Sequence, residues 1–173
     1  MPNPFFIEVD DEKLKSLFEK LSQRGRDMRP ALLAIGNVVA NSVRRNFDEG
    51  GRPDKWKSLS EATLIGSLRG KDFDKRKKTK TLTTRASKRI ASRKILVGLG
   101  MRGGLMGSIH YEVDGNGVSI GPEPKPYARI HQFGGEAGRK SHRVKIPARP
   151  YLVLQQEDVQ AANNIIIGFL MRE

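Results

Sequence analysis

Three histidines, no cysteine and a dense cluster of lysine and arginine are what this 173-residue chain offers to chemistry. His110, His131 and His142 lack the spacing of a metal site, and no thiolate supports them. His110 and His131 fall in expected strands, where they read as hydrogen-bonded structural residues. Ser58-Leu59-Ser60-Glu61 has the spacing Ser-x-x-Glu, which is better explained as a helix start than as a nucleophile with its base. The carboxylates are scattered with no pair set for acid–base work, and no Gly-x-x-x-x-Gly-Lys-Ser/Thr phosphate loop occurs. These residues predict no enzyme, no catalytic side chain, no metal and no cofactor.

Charge is the exception. Lys and Arg number 32 against 19 Asp and Glu, a net charge of +13. Twelve of the bases lie in one stretch: Arg69, Lys71, Lys75, Arg76, Lys77, Lys78, Lys80, Arg85, Lys88, Arg89, Arg93 and Lys94. Only Asp72 and Asp74 oppose them, so the stretch carries +10 and the rest of the chain +3. So local a field predicts contact with a polyanion or an acidic protein surface. The alternative is a solvated basic loop that keeps the protein soluble.

The elements that must position these residues follow from pattern. Asp10 and Asp11 are placed to cap a helix bearing Leu14, Leu17, Phe18 and Leu21. A second helix opens near Met28, carries Leu32, Ile35, Val39, Val43 and Phe47 as a core stripe, and ends at Gly50-Gly51. From Gly66 to Lys94 apolar residues are too few to offset backbone ordering, which predicts a mobile arm, with a short basic helix from Arg85 to Arg93. A further glycine-rich stretch runs to Gly107. Ile109, Tyr111 and Val113 alternate, Asp114-Gly115-Asn116-Gly117 turns, and Val118-Ser119-Ile120 returns. Tyr127–Phe133 reads as a third strand, Gly134-Gly135 opens a basic loop, and Val144–Ile146 is short and β-like. The last element is a helix with Val159, Ala162, Ile166, Phe169 and Leu170 on one face. The fold class is therefore α+β: an antiparallel β-sheet packed against N-terminal and C-terminal helices, with a long basic mobile arm. One domain, 1–173, is expected, with a helical part at 10–48, the basic, glycine-rich arm at 66–107, and the sheet plus last helix at 108–173. The longest uncharged run, Pro30 to Val43, is too short for the ~20 residues of a membrane span. The N-terminus lacks the basic flank of a signal peptide, so a soluble protein is expected.

Three motifs in order carry a resemblance. They are Phe47-x-x-Gly50-Gly51-Arg52-Pro53-x-x-Trp56-x-x-Leu59-Ser60, then Tyr127-Ala128-x-Ile130-His131-Gln132-Phe133-Gly134-Gly135, then Ile146-Pro147-Ala148-Arg149-Pro150-Tyr151-Leu152. Together the set resembles the phage virion morphogenesis family, the tail-completion or neck proteins of Mu-like and related tailed phages. Lys94-Ile95-Leu96-Val97-x-x-Gly100 and Leu105-x-x-Ser108-Ile109 also resemble the family's central motif, with Leu99 where a threonine is usual. The resemblance implies a structural protein of the virion, acting where head meets tail and made in the host cytoplasm. It also implies other neck, connector and tail proteins as partners, a homo-oligomeric ring and no membrane; in such a joint the basic arm faces packaged DNA or lies across an acidic portal or tail-tube surface. The competing reading is a stand-alone nucleic-acid-binding protein, for which the arm supplies charge but, in Phe73, only one aromatic for stacking.

The expected partner-binding set is Tyr127, Arg129, His131, Phe133, Gly134, Gly135, Arg149 and Tyr151. Strand alternation would put Tyr127, Arg129, His131 and Phe133 on one face, toward a partner. Arg149, stiffened by flanking prolines, either pairs with a partner carboxylate or forms an intrachain salt bridge. Gly134-Gly135 is either a close approach for a neighbour or a plain turn. Trp56 is expected to plug its loop onto the core.

Overall fold

The helical spacing of Leu14, Leu17, Phe18 and Leu21 gives α1 (Glu12–Arg26), and that of Leu32 to Phe47 gives α2 (Arg29–Glu49). The computed structural model describes residues 12–74, 81–97, 104–115, 117–139 and 141–172, so the expected caps Asp10 and Asp11 lie outside it. Pro30 sits in the first turn of α2, where its missing N–H costs nothing. Gly50 closes the helix at φ 70°, a left-handed cap that only glycine adopts cheaply. Leu32, Ile35, Val39, Val43 and Phe47 are all buried. α1 differs: none of its residues is buried, and Leu14, Leu17 and Phe18 face solvent. It meets the end of the chain, where Arg24 Nη1 donates to the Leu170 carbonyl at 2.8 Å.

Two arms lean on α2. β1 (Ile109–Asp114) and β2 (Gly117–Pro122) form the expected hairpin, with Tyr111 opposite Ile120 and Val113 opposite Val118. The Tyr111 ring lies directly on Gly36 of α2, where any Cβ would run into it. The C-terminal helix packs on the same helix through Ala162, Ile165 and Ile166. Of its expected stripe, Val159 is solvent-exposed, whereas Phe169 and Leu170 are half-covered.

Between these lies the segment from Gly66 to Lys94, which holds more local order than its composition predicts. α3 (Glu61–Gly66) begins at the expected helix start, but its cap is Ser60, whose Oγ accepts from Thr63 N, rather than the Ser58 of the Ser-x-x-Glu spacing. A 3-10 turn (Gly70–Asp72), a bridge between Phe73 and Leu82, and α4 (Thr84–Ala91) follow. Thr83 Oγ1 caps α4 by accepting from Ala86 N at 3.2 Å, and Ala86 is buried. Residues 75–80 of the arm and 98–103 of the glycine-rich stretch fall outside the described residues.

Two sequence expectations are corrected after β2. Tyr127–Phe133 is not a strand but a short helix, α5 (Ala128–Phe133). The basic loop beyond Gly134 is instead β3 (Gly135–Arg139), paired antiparallel with β4 (His142–Ile146), Ala137 opposite Val144. β3 has poor intrinsic strand propensity, so its partner strand imposes the conformation. The β content is therefore two separate two-stranded sheets among the described residues rather than one sheet. α6 (Gln156–Leu170) completes the chain. The α+β class stands, and no helix among the described residues is long and apolar enough to cross a membrane.

Candidate assembly surface

Trp56 and Tyr151 close on Phe47 from two sides. The Trp56 ring meets Phe47 edge-on at 5.5 Å, Tyr151 lies at 5.3 Å, and Trp56 Nε1 donates to the Pro150 carbonyl at 3.0 Å. The first and third motifs are thus joined through one aromatic cluster, as the plug reading of Trp56 implied. Tyr151 is 2% exposed and donates its hydroxyl to the Ala128 carbonyl at 3.3 Å. Burial raises its pKa. It is a core residue and leaves the expected partner-binding set.

The second motif is joined to the third by α5. Gln132 Oε1 accepts from both Tyr151 N and Leu152 N at 3.0 Å, and its Nε2 donates to the Leu152 carbonyl. Arg149 N donates to the His131 carbonyl at 2.7 Å. Gly134, at φ 74°, lets the 146–148 backbone pass: a Cβ there would lie 2.9 Å from Ala148 N. The backbone that comes close at Gly134 is this chain's own strand exit, not the neighbour of the sequence expectation.

Helical geometry reassigns the faces of α5. Ala128 and Gln132, four apart, turn inward. Tyr127 and His131, also four apart, stack edge-on at 6.0 Å. Arg129 and Phe133 project outward, Phe133 at 73% exposure. The four alternating residues therefore do not share one face: Arg129 and Phe133 are surface, Tyr127 and His131 line a recess beside Arg149. Arg149 is buried, and its Nε and Nη2 donate to the Lys57 carbonyl at 3.3 and 3.2 Å. It pins the Trp56 loop as an intrachain contact should, but to a carbonyl rather than a carboxylate. Burial lowers its pKa, and burial together with the Arg149 charge lowers that of His131.

The basic residues form a second surface. Arg85, Lys88 and Arg89 share the outer face of α4 at i, i+3 and i+4 and are exposed, as are Arg69, Lys71, Arg93 and Lys94. Two of them are partnered. Arg89 pairs with the buried Asp72 at 2.8 Å, and Lys94 with Asp48. Arg89's hydrogen bond, then that of Arg69 N, lowers the Asp72 pKa to about 2. Lys75, Arg76, Lys77, Lys78 and Lys80 lie outside the described residues. Among the described residues no group of His, Asp and Glu is placed to hold a metal ion.

One polar network escaped the sequence reading. Arg52 donates from Nε to Asn46 Oδ1, from Nη2 to the Ser42 carbonyl and hydroxyl, and from Nη1 to Glu157 at 2.7 Å. Ser42 Oγ donates to the buried Asp158, which also accepts from Gln155 N at the start of α6. Asn46, fully buried, donates to the Tyr151 carbonyl at 2.8 Å. The polar residues Ser42 and Asn46 on an otherwise apolar helix face were the available signal. Buried polar groups demand partners, and a nearby arginine after a glycine pair supplies them.

The model of the phage virion morphogenesis family matches residues 9–171. A curated relative, "Mu-like prophage FluMu G protein 2" of Haemophilus influenzae, is 32% identical over 153 residues, covering 88% of this chain and 86% of the relative. No solved structure matches the chain. The match spans all three motifs that meet around Phe47 and Arg149, and the chain belongs to the phage virion morphogenesis family.

Proposed function

We propose that this chain is a structural subunit that completes the neck or tail of a tailed phage particle and helps join head to tail. Family membership supports a role in virion morphogenesis, and the surfaces refine that role. The observation that carries the refinement is the apolar face of α1, with Leu14, Leu17 and Phe18 exposed. An amphipathic helix whose Leu14, Leu17 and Phe18 are left uncovered by the described residues is suited to be covered by a neighbour. The basic face of α4 is chemically different, and a subunit with two unlike surfaces suits the heterologous contacts of a ring. The neighbours are then copies of the chain and other neck or tail proteins, and the basic face lies toward packaged DNA or an acidic partner in the virion. The family reading also favours a structural role over catalysis.

Deletion of the gene from its parent phage tests the proposal. Expected are filled heads and tails of normal length that remain separate, with joining restored by the purified protein. Normal joined particles without the chain, or its absence from mature virions, would sink the joint reading. The +10 segment favours the stand-alone nucleic-acid-binding reading, which instead requires tight DNA binding by the isolated chain with a steep salt slope.

A further inference from the structure

A cavity of about 280 Å³ opens beside the start of α5, with Arg93, Lys94, Tyr127, His131 and Arg149 as its polar wall and an apolar side that includes Leu59 and Leu105. Its charge is one-sided. Arg149 is 5% exposed, yet among the described residues its guanidinium donates only to the Lys57 carbonyl, and no carboxylate of these residues is paired with it. A guanidinium taken from water usually sits against an anion, because an unpaired buried charge is costly. Beside it, His131 Nδ1 is buried without a hydrogen-bond partner. Arg93, at the cavity wall, is exposed and has no ion-pair partner among the described residues, while Lys94 is matched by Asp48. One buried cation without a carboxylate and one buried imidazole nitrogen without a hydrogen bond thus stand together among the described residues.

We propose that this cavity is a socket for a carboxylate of a neighbouring virion protein, an Asp or Glu side chain or a chain terminus, which pairs with Arg149. The identity of the neighbour rests on the virion reading above; the carboxylate chemistry does not. A carboxylate fits better than a nucleic-acid phosphate for two reasons. The guanidinium is recessed, out of reach of a phosphate held in a stiff duplex backbone, whereas the exposed cations of α4 are accessible to one. Leu59 supplies an apolar wall suited to the methylene stem of an acidic side chain. Charge-assisted donation from a planar guanidinium to a carboxylate is strong and directional.

The charged and titratable groups facing His131 across the cavity are Arg149, Arg93, Tyr127 and the Asp48-bound Lys94. An entering carboxylate offsets the Arg149 charge that disfavours protonation of His131, so His131 then keeps its proton to higher pH. The purified full chain with sodium acetate as probe, followed by histidine-ring NMR, tests the site. Acetate is expected to shift the His131 signals saturably and to raise its titration midpoint, while chloride at matched ionic strength does neither. Arg149→Lys, checked for native melting, is expected to weaken the acetate response about tenfold, the worth of one charge-assisted hydrogen bond. Arg93→Glu, at an exposed position, keeps the fold and is expected to compete with acetate by placing a carboxylate at the wall. A response to inorganic phosphate without one to acetate, or to neither, overturns the proposal. A photo-crosslinker at Leu59 in assembled particles is expected to capture an acid-bearing peptide of a neighbouring protein; capture of DNA alone overturns that occupant. Absence of the chain from particles with acetate binding intact would overturn the virion reading and leave the socket standing.

Discussion

Gln132 and Trp56 show how single side chains hold the three motifs together. The Gln132 amide satisfies two backbone donors and one acceptor of residues 151 and 152. Gln132→Leu leaves those groups unpaired in a half-buried place, so a loss of about 1–3 kcal/mol is expected from urea unfolding. A variant as stable as the parent would mean that water replaces the amide at no cost. Trp56→Ala removes a buried ring from the Phe47 cluster and one hydrogen bond to Pro150, with an expected loss of about 3–5 kcal/mol. A variant that melts like the parent but fails to enter particles would move Trp56 from core to interface. Trp56 was legible in the sequence because a lone aromatic between glycines and a helix start has few other uses. Gln132 was not, because its partners lie 19 and 20 residues away and nothing local announces them.

At the scale of elements, period decides. Leu32 to Phe47 repeat over about four turns and admit only a helix, so α2 was legible in full. Tyr127–Phe133 is seven residues long, and its apolar positions satisfy a period of two nearly as well as one of 3.6. What decides there is tertiary: the Tyr151 hydroxyl reaches the Ala128 carbonyl and Gln132 reaches the 151–152 backbone, and the turn parts Arg129 and Phe133 from Tyr127 and His131, which a strand would keep on one face. α4 was seen as a basic helix but not as an anchored one, since the anchor is Asp72, twelve residues before it. The anchor makes a pH prediction. Asp72 has its pKa lowered from 3.8 to about 2 by Arg89 and Arg69 N. A carboxyl lowered on folding adds stability above its unfolded value and loses it as pH falls through the folded one. Amide exchange in α4 is therefore expected to accelerate relative to α2 between pH 4 and 2. Asp72→Asn should show the fast exchange already at pH 5. Equal behaviour of α4 and α2 across that range would remove the ion pair as the anchor.

For the whole molecule, the asymmetry of charge is the property with most reach. The stretch from Arg69 to Lys94 carries +10 of the net +13, and in the structure its described part presents the outer face of α4. Arg85 and Lys88 are exposed on that face and have no ion-pair partner among the described residues. Their reversal, Arg85→Glu with Lys88→Glu, should change stability by no more than about 0.5 kcal/mol, as for surface sites generally. Arg149→Glu is the opposite kind of change: it buries a carboxylate against the Lys57 carbonyl and is expected to unfold the chain rather than to report on assembly. The paired reversal on α4 therefore isolates the long-range field from the fold. If the basic face meets packaged DNA or an acidic protein surface in the particle, the reversed chain is expected to join heads to tails at reduced yield. Raised salt should weaken joining by the parent chain in the same direction. Binding of the isolated chain to duplex DNA separates the two partners, because each lost phosphate contact lowers the log–log salt slope by about 0.9. A slope that falls by nearly two on reversal assigns the face to DNA, and an unchanged slope with reduced joining assigns it to an acidic protein. Parental yield and an unchanged slope together would leave the charge with no role in assembly beyond solubility.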